Sequence, residues 1–459
     1  MDVGHFHEKL ATIFVYACAM ASTMAMTIII PVLPQMGEDL DTNIIGVVEA
    51  AFLAVLTLAV LFWGYQVDRI SRRKVLAFSI IIWSSCSFLI SIFAHSLAIY
   101  VTLRLIMALG LGATMPFAYS MLGDLATYRH RGFFSSGLDL IVIMGSGLGI
   151  LLGGFIGPEN WNLSFGIVCI FGICVYFPLL LVKFPLRGAS EPEFGGTGFL
   201  SKRDESLYRL NINQLQEIFR KRTNIATFAQ GTAALIPGVI FTYYLISLLS
   251  DQQNGGFGID TGTATLLGLS FAFGRVIGYP TFGILGDFLG RKNRSRKALV
   301  ATICMVAQGP LFLASFLFAS LVDPAETSGQ DNILFLLDQP FLILFGLLFF
   351  MASFIGGGSG PNRRSLLYDI NRPEHRGSTG AIFNFTDQIG SAFGLLVGSL
   401  LLTYSSYLFV FTFVSLFYFI AALLWTPAIF FADNDSEILR NEMRARAREH
   451  SLNSTSNGK

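Results

Sequence analysis

Hydrophobic runs of about 20 residues recur along the whole chain and are separated by short polar loops. A helix of that length crosses the hydrocarbon core of a lipid bilayer. The pattern predicts twelve membrane-spanning helices, called spans 1 to 12. Their predicted ranges are 11–33, 44–66, 74–95, 97–122, 133–157, 162–184, 224–250, 261–286, 297–321, 341–368, 377–403 and 407–432. The sequence therefore predicts an all-α membrane protein.

Polar segments divide the spans into two groups of six. The predicted divisions are an N-terminal bundle (1–184), a cytoplasmic linker (185–223), a C-terminal bundle (224–432) and a cytoplasmic tail (433–459). The linker begins Gly-rich, and its second part carries Ile212, Leu215, Ile218 and Phe219 at helical spacing. This pattern is typical of a helix on the membrane surface. The charged tail is predicted to begin as a helix and to end disordered.

Composition supports a membrane-embedded chain and argues against several kinds of chemistry. Of 459 residues, 53% are hydrophobic and 13% are charged, whereas soluble domains carry about 25% charged residues. The five cysteines are odd in number and lie in apolar runs, so neither disulfides nor a zinc site are predicted. The sequence contains no Walker motif and no nucleophile constellation. It therefore predicts no cofactor, no metal, no catalysis and no ATP-driven pump.

Lysine and arginine indicate the orientation of a membrane protein. With both termini inside, all but two of the 31 Lys and Arg residues fall on the cytoplasmic side. The two exceptions, Arg104 and Arg275, lie within predicted spans, and the outer loops carry acidic charges only. The sequence predicts a multi-pass protein of the plasma membrane with cytoplasmic N- and C-termini. Inner and outer denote these predicted sides.

A polar motif occurs twice, between spans 2 and 3 and again between spans 8 and 9. The first copy contains Gly64, Asp68, Arg69, Arg72 and Arg73, and the second, 219 positions later, contains Gly283, Asp287, Gly290, Arg291 and Lys292. At this shift Arg72 aligns with Arg291, and Arg73 aligns with Lys292. Two copies in corresponding places of two hydrophobic halves predict a duplicated transporter.

A second set of matches follows at a shift of 245 positions. Asp124 and Arg131, between spans 4 and 5, match Asp369 and Arg376, between spans 10 and 11. On the adjoining helices Gly145, Gly149 and Gly153 match Gly390, Gly394 and Gly398. The alternative is chance recurrence of glycines in membrane helices, but matches at one shift favour a real duplication. Parallel six-helix repeats place a substrate cavity between the halves near the membrane midplane.

On these residues the sequence resembles the major facilitator superfamily across the whole chain apart from its tails. The two loop motifs are similar to the family's loop 2–3 motif and its second copy, and Arg104 with Gly110 and Gly112 resembles the helix 4 motif. The segment from Gly145 to Gly149 is most similar to Spinster-type lipid transporters and their prokaryotic relatives. The resemblance implies two pseudo-symmetric six-helix bundles and transport by alternating access.

The two loop motifs have the chemistry of an inner gate. Asp68 and Asp287 lie at the inner ends of spans 2 and 8, where a carboxylate accepts hydrogen bonds from arginine or from a helix N-terminus. Gly64 and Gly283, one turn earlier, permit close approach of a neighbouring helix. In the resembling family such a cluster holds the inner gate shut while the cavity faces outward. The alternative is that the bases only enforce orientation.

Charged residues inside the spans are candidate coupling or substrate residues, because an unpaired charge there costs at least ~2.5 kcal/mol. They are Arg104, Arg275, Asp139 and Asp387. The resemblance links Arg104 to proton transfer or to an anionic group, and a structural arginine that binds carbonyls is the equal alternative. Asp139 is expected in a gate pair, and Asp387 either couples protons or forms a buried pair. Glu49, near the outer end of span 2, is expected to be solvated.

Spans 1 and 7 line the cavity in the resembling family, and here their polar positions carry no fixed charge. The candidates are Ser22, Thr23, Thr27, Gln230, Thr232, Tyr243 and Tyr244. A lining of small hydroxyls, Met, Phe and Tyr suits a small or amphipathic solute better than a multiply charged one.

The sequence therefore predicts a secondary active or facilitative transporter of a small or amphipathic solute, with or without proton coupling. Two alternatives stay open: a Spinster-type lysolipid transporter or flippase, and a membrane sensor that binds without transporting. The predicted partners are the substrate, the lipid bilayer and, if transport is coupled, protons. No nucleic-acid partner is predicted, and the chain is predicted to be a monomer.

Overall fold

The computed structural model describes residues 3–42, 44–67, 71–125, 131–182, 216, 218–253, 255–291, 293–371 and 376–456. Within these residues every regular element is an α-helix or a short 3-10 helix. The all-α class that the hydrophobic pattern predicts is confirmed.

The N-terminal half contains spans 1 to 6. Its helices are Val3–Thr27, Ile30–Val32 and Leu33–Asp39 (span 1), Ile45–Val67 (span 2), Arg72–Phe93 (span 3), Leu97–Leu111 and Thr114–Leu125 (span 4), Arg131–Ile156 (span 5) and Trp161–Leu181 (span 6). Span 1 changes to a 3-10 turn at Pro31, because proline has no backbone N–H to continue the helical hydrogen bonds.

The C-terminal half contains spans 7 to 12. Its helices are Arg222–Ser250 (span 7), Thr261–Ala272 and Gly274–Leu289 (span 8), Ser295–Ala319 (span 9), Pro340–Gly356 and Ser359–Ile370 (span 10), Arg376–Leu402 (span 11), and Tyr407–Ser415 and Phe417–Ser456 (span 12). The outer loop before span 10 adds Pro324–Thr327 and Ile333–Asp338. Span 10 breaks within the glycine run Gly356 to Gly358, where the backbone lacks the restraint of a side chain.

Length and hydropathy support the membrane assignment. In the described part of the chain, nine helical segments are long and apolar enough to cross a membrane. Leu140–Ile156 and Trp161–Val175, in spans 5 and 6, are shorter apolar helices. Span 8 is interrupted at Phe273 and contains Pro280. The helices agree with the predicted arrangement of twelve spans.

The duplicated glycines perform the same packing task in both halves. A Cβ on Gly149 would crowd the backbone of span 1 at Met24, and a Cβ on Gly394 would crowd span 7 at Ile236. Hydroxyls reinforce both contacts, because Thr27 Oγ1 donates to the Ser146 carbonyl at 3.0 Å and Thr232 Oγ1 donates to the Thr386 carbonyl at 3.1 Å. Small residues thus allow spans 1 and 5, and spans 7 and 11, to approach closely.

The last helix extends beyond the predicted end of span 12 and continues to Ser456. Its inner part is attached to neighbouring helix ends. Thr223 Oγ1 donates to Asp435 Oδ2 at 2.6 Å, and the Ser295 N–H donates to Asp433 Oδ1 at 3.1 Å. Of the predicted surface helix in the linker, Ile212 and Leu215 lie outside the described residues.

The two halves meet at the outer ends of their spans. Gly46 on span 2 lies against the Tyr244 hydroxyl and Ser399, so closely that a Cβ there would overlap the hydroxyl. Gly154 on span 5 meets Thr265 on span 8 in the same way. Spans 2 and 11, and spans 5 and 8, pack against each other. These contacts close the outer side of the molecule.

Candidate transport site

One buried ion pair lies in the N-terminal half. Arg104 on span 4 and Glu49 on span 2 are joined by two hydrogen bonds, Nη2 to Oε2 at 2.8 Å and Nε to Oε1 at 2.9 Å. Both side chains are 0% exposed. Tyr100 Oη also donates to Glu49 Oε1, at 2.9 Å. The prediction that Glu49 is solvated is wrong. Its carboxylate is buried and balances the charge of Arg104, the only described arginine of this bundle that is fully buried.

Further contacts of Arg104 are those of a structural arginine. Its Nη1 donates to the Ala25 carbonyl at 3.4 Å, and its Nη2 donates to the Met26 carbonyl at 3.3 Å. Its guanidinium lies 4.0 Å from the centre of the Phe52 ring, in reach of a cation–π contact. This geometry favours the structural alternative for Arg104 over a role in proton transfer, because no solvent reaches either partner in this conformation.

Tyr243 and Tyr244, predicted to line the cavity, are both buried. Tyr244 lies in the outer closure, with its hydroxyl against Gly46 and its ring 6.4 Å from that of Tyr407. Tyr407 in turn donates to Asp251 Oδ2 at 2.8 Å. In this conformation Tyr244 contributes to the contact between the halves.

A cavity of about 330 Å³ lies in the C-terminal half, lined by apolar, polar and charged residues of spans 7 to 12. Its charged lining residues are Arg275, Arg363, Arg364 and Asp387. The remaining lining is small, aromatic or amide, and it includes Gln308, Phe383 and Tyr418. Among the described carboxylates only Asp387 belongs to this lining, and Arg275 is an arginine of the lining that no described carboxylate pairs.

A second ion pair forms part of this cavity wall. Arg363 Nη2 on span 10 lies 2.5 Å from both carboxylate oxygens of Asp387 on span 11. Arg363 Nη1 donates to Gln230 Oε1 at 2.9 Å, and the guanidinium lies 4.1 Å from the centre of the Phe383 ring. A Cβ on Gly231 would overlap Asp387 Oδ1. Span 7 thus makes room for the pair, and Gln230 is a partner of Arg363 rather than an open cavity residue.

Arg275, the other arginine predicted within a span, is exposed on the cavity. No described carboxylate lies within ion-pair distance of it. Its guanidinium approaches Gly356, at the break of span 10, where an added Cβ would lie 3.7 Å from Nη2. Arg275 is therefore the charged residue of this cavity that is best placed to meet a solute.

An ion-pair cluster lies at the inner ends of spans 8, 9 and 10. Lys297 Nζ is 2.8 Å from Asp287 Oδ1 and 2.9 Å from Asp369 Oδ2, and it donates to Ser365 Oγ at 2.6 Å. Arg294 Nη1 lies 3.2 Å from Asp369 Oδ2. Asp287 thus has a cationic partner, as the gate prediction expects, but the cation comes from span 9.

The alignment of Arg72 with Arg291 is wrong in three dimensions. Arg72 Nη2 donates to Ser120 Oγ at 2.8 Å, and Ser120 matches Ser365 at the second shift. The counterpart of Arg72 is therefore Lys297, which binds Ser365, whereas Arg291 is exposed beside Phe288. The reason is that the second loop contains extra residues before span 9 begins at Ser295, so Arg291 lies before that helix, whereas Arg72 lies within span 3.

The gate glycines also differ from the prediction. A Cβ on Gly64 would meet open space, and one on Gly283 would make an ordinary contact with Pro361 at 3.4 Å. The close approach occurs instead at Gly286, where a Cβ would overlap Asn362. Asp68, Arg69 and Lys292 lie outside the described residues, and so do the side chains of Asp124, Arg131, Asp139 and Arg376.

Sequence reasoning missed three polar residues that the fold buries at or near the cavity. Arg363 and Lys297 had been counted among the inner bases that set orientation, and Gln308 stands alone in an apolar helix. For Arg363 the signal was its position seven residues before the inner end of the Ser359–Ile370 helix, within the membrane. Among the described residues, no group of His, Cys, Asp and Glu could hold a metal ion.

Two helical bundles that meet at their outer ends, with a cavity among the membrane-spanning helices, are typical of multi-pass membrane transport proteins. The model of the Major Facilitator Superfamily matches residues 15–323 and 241–453. The chain belongs to this family. The matching relatives and solved structures are transporters rather than enzymes.

Three similarities illustrate the relationship. The chain is 21% identical to Protein spinster of Drosophila melanogaster over 61% of its own length and 46% of that protein, so it matches less than half of this relative. It is 27% identical to a gallate transporter of Pseudomonas putida, over 62% of the chain and 67% of the relative. A bacterial homolog of the human lysosomal transporter Spinster, solved inward-facing and occupied, superimposes with a TM-score of 0.69 at 17% identity, covering 92% and 97% of the two chains.

Proposed function

We propose that this chain is a secondary transporter that moves an amphipathic organic anion by alternating access between its two halves. The observation that carries the proposal is Arg275 on the wall of the C-terminal cavity, which no described carboxylate pairs, while the neighbouring Arg363 is held by Asp387. The outer contacts at Gly46 and Gly154 suit a state in which this cavity is loaded or emptied from the inner side.

The charge of the lining favours an anion as the solute. A charge in the hydrocarbon region is costly unless it is paired or faces water. Arg363 is paired with Asp387, but Arg275 has no ion-pair partner among the described carboxylates, so a bound anion would complete it. Arginine is well suited to this task because its planar guanidinium binds a carboxylate or phosphate through two parallel hydrogen bonds.

The apolar part of the lining favours an amphipathic body attached to that charge. Phe383, Tyr418, Leu235 and Val239 border the same cavity, and ligand pockets of this kind combine apolar walls with a few polar groups that fix orientation. The name of the Pseudomonas putida relative refers to gallate, an organic anion with an aromatic ring. Gallate is therefore a reasonable first probe.

Proton coupling is part of the proposal, with Asp387 as the proton-accepting residue. Protonation of Asp387 would release Arg363 for the solute anion, and this exchange would link proton and solute movement. The structural role of Arg104 leaves it outside this exchange. We also propose a plasma-membrane location with cytoplasmic termini, from the Lys and Arg distribution, and a monomeric transport unit, because residues of a single chain line the cavity described above.

Uptake of radiolabelled gallate into proteoliposomes tests the proposal. With an imposed pH gradient, wild-type protein should accumulate gallate, and Arg275→Ala should reduce the rate at least about tenfold, because the anion loses a charge-assisted hydrogen bond worth about 1.5–3 kcal/mol. Arg296→Ala is the matched control, since Arg296 is exposed at the inner surface and should leave uptake unchanged. Equal rates for the Arg275 and Arg296 variants would rule out Arg275 as the anchor.

Similarity to Spinster proteins favours a second candidate, transport of a lysolipid. The same vesicles loaded with a fluorescent lysophosphatidic acid distinguish the candidates, because a lysolipid transporter would move this probe and leave gallate behind. Binding of either probe without counterflow would instead indicate the sensor.

A further inference from the structure

One buried amide at the cavity wall has a carbonyl oxygen that no described residue hydrogen-bonds. Gln308 on span 9 is 1% exposed, and it lines the cavity of the C-terminal half. Its Oε1 has no hydrogen-bond partner among the described residues. Buried polar groups in proteins are nearly always hydrogen-bonded, so an acceptor left open toward a cavity indicates a group that a ligand brings.

Gln308 and Arg275 converge on the same point of the wall. A Cβ on Gly356 would overlap Gln308 Oε1 and lie 3.7 Å from Arg275 Nη2. The absence of a side chain at Gly356 thus lets Gln308 Oε1 pack against span 10, in the part of the wall that Arg275 Nη2 also approaches. These two atoms are close enough for one small polar head group to contact both.

Aromatic and guanidinium groups surround this point of the wall. Tyr418 borders the cavity and stacks on Phe312, with ring centres 5.6 Å apart. Arg363 Nε, on the same lining, is also buried without a partner. The cavity therefore offers donors from guanidinium groups together with one amide acceptor whose position is set by the packing of spans 8, 9 and 10.

We propose that the transported anion carries a hydroxyl or ammonium group beside its charged group, and that Gln308 Oε1 accepts a hydrogen bond from it while Arg275 binds the anionic group. This inference rests on the proposed function and narrows its substrate class. An anion without such a donor leaves the Gln308 carbonyl unpaired when the solute displaces water, and it therefore binds more weakly.

Two sources supply this chemistry. A hydroxylated aromatic acid carries a carboxylate and a phenolic hydroxyl, and a lysophosphatidic acid carries a phosphate with a neighbouring glycerol hydroxyl. Both place an anion and a donor at the polar end of an apolar body. Gln308 would recognise the hydroxyl group of either compound in the same way. Probes of both kinds therefore distinguish an aromatic acid from a lysolipid as the solute.

Equilibrium binding to the purified full-length chain in nanodiscs tests the inference. One arm compares 4-hydroxybenzoate with benzoate, and the other compares 1-oleoyl lysophosphatidic acid with its 2-deoxy analogue. The wild type should bind the hydroxylated member of at least one pair about tenfold more tightly. Gln308→Met, which keeps the side-chain length without the amide, should reduce this ratio to about one.

Two further variants serve as controls for this experiment. Gln308→Leu also removes the acceptor without adding charge, so it should likewise reduce the ratio to about one, and it provides a reading if the methionine variant does not fold. Gln252→Met, at an exposed outer position, should behave as wild type.

A ratio near one in the wild type, with binding that still depends on Arg275, would overturn the role of Gln308 and leave the organic-anion transporter in place. An unchanged ratio of the two affinities in Gln308→Met would also overturn the role of Gln308 and leave the organic-anion transporter in place. Failure of all four ligands to bind would overturn the proposed function together with the inference.

Discussion

Each half of the molecule contains one arginine–carboxylate pair inside the membrane, and the two pairs differ in what surrounds them. Glu49 and Arg104 are 0% exposed and lie near the closed outer side. Asp387 and Arg363 are 21% and 4% exposed and form part of a cavity wall. The chemistry of the groups is the same. Access to water and to a solute therefore decides which pair can take part in transport, and which one only holds helices together.

The pairs also differ in how completely they are satisfied. Glu49 is shared by Arg104 and Tyr100, and Arg104 uses two backbone carbonyls in addition. Arg363, by contrast, retains a buried Nε without a partner. A fully satisfied network strengthens one arrangement of its helices. A partly satisfied one can exchange partners at lower cost, which is the property a coupling site needs.

The largest expected effect is the loss of the sealed pair. Glu49→Gln leaves Arg104 charged and buried without a carboxylate, and removal of one partner of a buried pair costs about 3–5 kcal/mol. We expect a strong decrease in thermal stability of the purified protein, measured by tryptophan fluorescence or light scattering during heating. Glu437→Gln, at an exposed position, is the control. A melting temperature close to that of the control would mean that the pair contributes little to the fold.

A second variant tests whether the contact at Gly46 keeps the outer side closed. Gly46→Val places a side chain against Tyr244 and Ser399, and such overpacking costs about 1–3 kcal/mol. The labelling site is Thr265→Cys, introduced in a chain whose five native cysteines are replaced. With Gly46→Val added, this cysteine should react about tenfold faster with an impermeant maleimide from the outer side than it does without it. Gly147→Val is the control, because a Cβ there meets open space. Equal labelling of both variants would argue against Gly46 as an outer contact.

The cavity pair should respond in binding more than in stability. Asp387→Asn removes the single carboxylate of the lining and leaves Arg363 with Gln230 as an acceptor. A charge-assisted hydrogen bond is worth about 1.5–3 kcal/mol, so an anion that gains Arg363 should bind about tenfold more tightly, as measured by titration with gallate. Uptake by this variant should no longer depend on the pH gradient. Weaker gallate binding would contradict the idea that Asp387 competes with the solute.

The smallest effect is expected at Gln230, which accepts a hydrogen bond from Arg363. Gln230→Leu removes one hydrogen bond to Arg363, worth about 0.5–1.5 kcal/mol. Gallate affinity should change by a few fold at most, with a slight loss of thermal stability. If instead this variant abolished uptake as strongly as Arg275→Ala, Gln230 would contact the solute directly.

Local patterns predicted much of the fold. Apolar runs marked the spans because a bilayer accepts only long apolar helices, and the glycines at one shift marked the helices that pack closely, as Gly149 and Gly394 do. Arg104, Arg275 and Asp387 were recognisable as unusual because charges within such runs are rare. The partners of the two paired residues, however, lie on other spans.

What the sequence by itself determined is the set of spans, their duplication, and the presence of charges that need a partner or a cavity. Only the tertiary structure decided that Glu49 pairs with Arg104, that Lys297 rather than Arg291 binds Ser365, and that Arg275 and Gln308 meet at Gly356. The physical reason is that hydropathy acts along one helix and is read from adjacent residues. An ion pair or an open acceptor depends on atoms brought within a few ångströms by the packing of several helices.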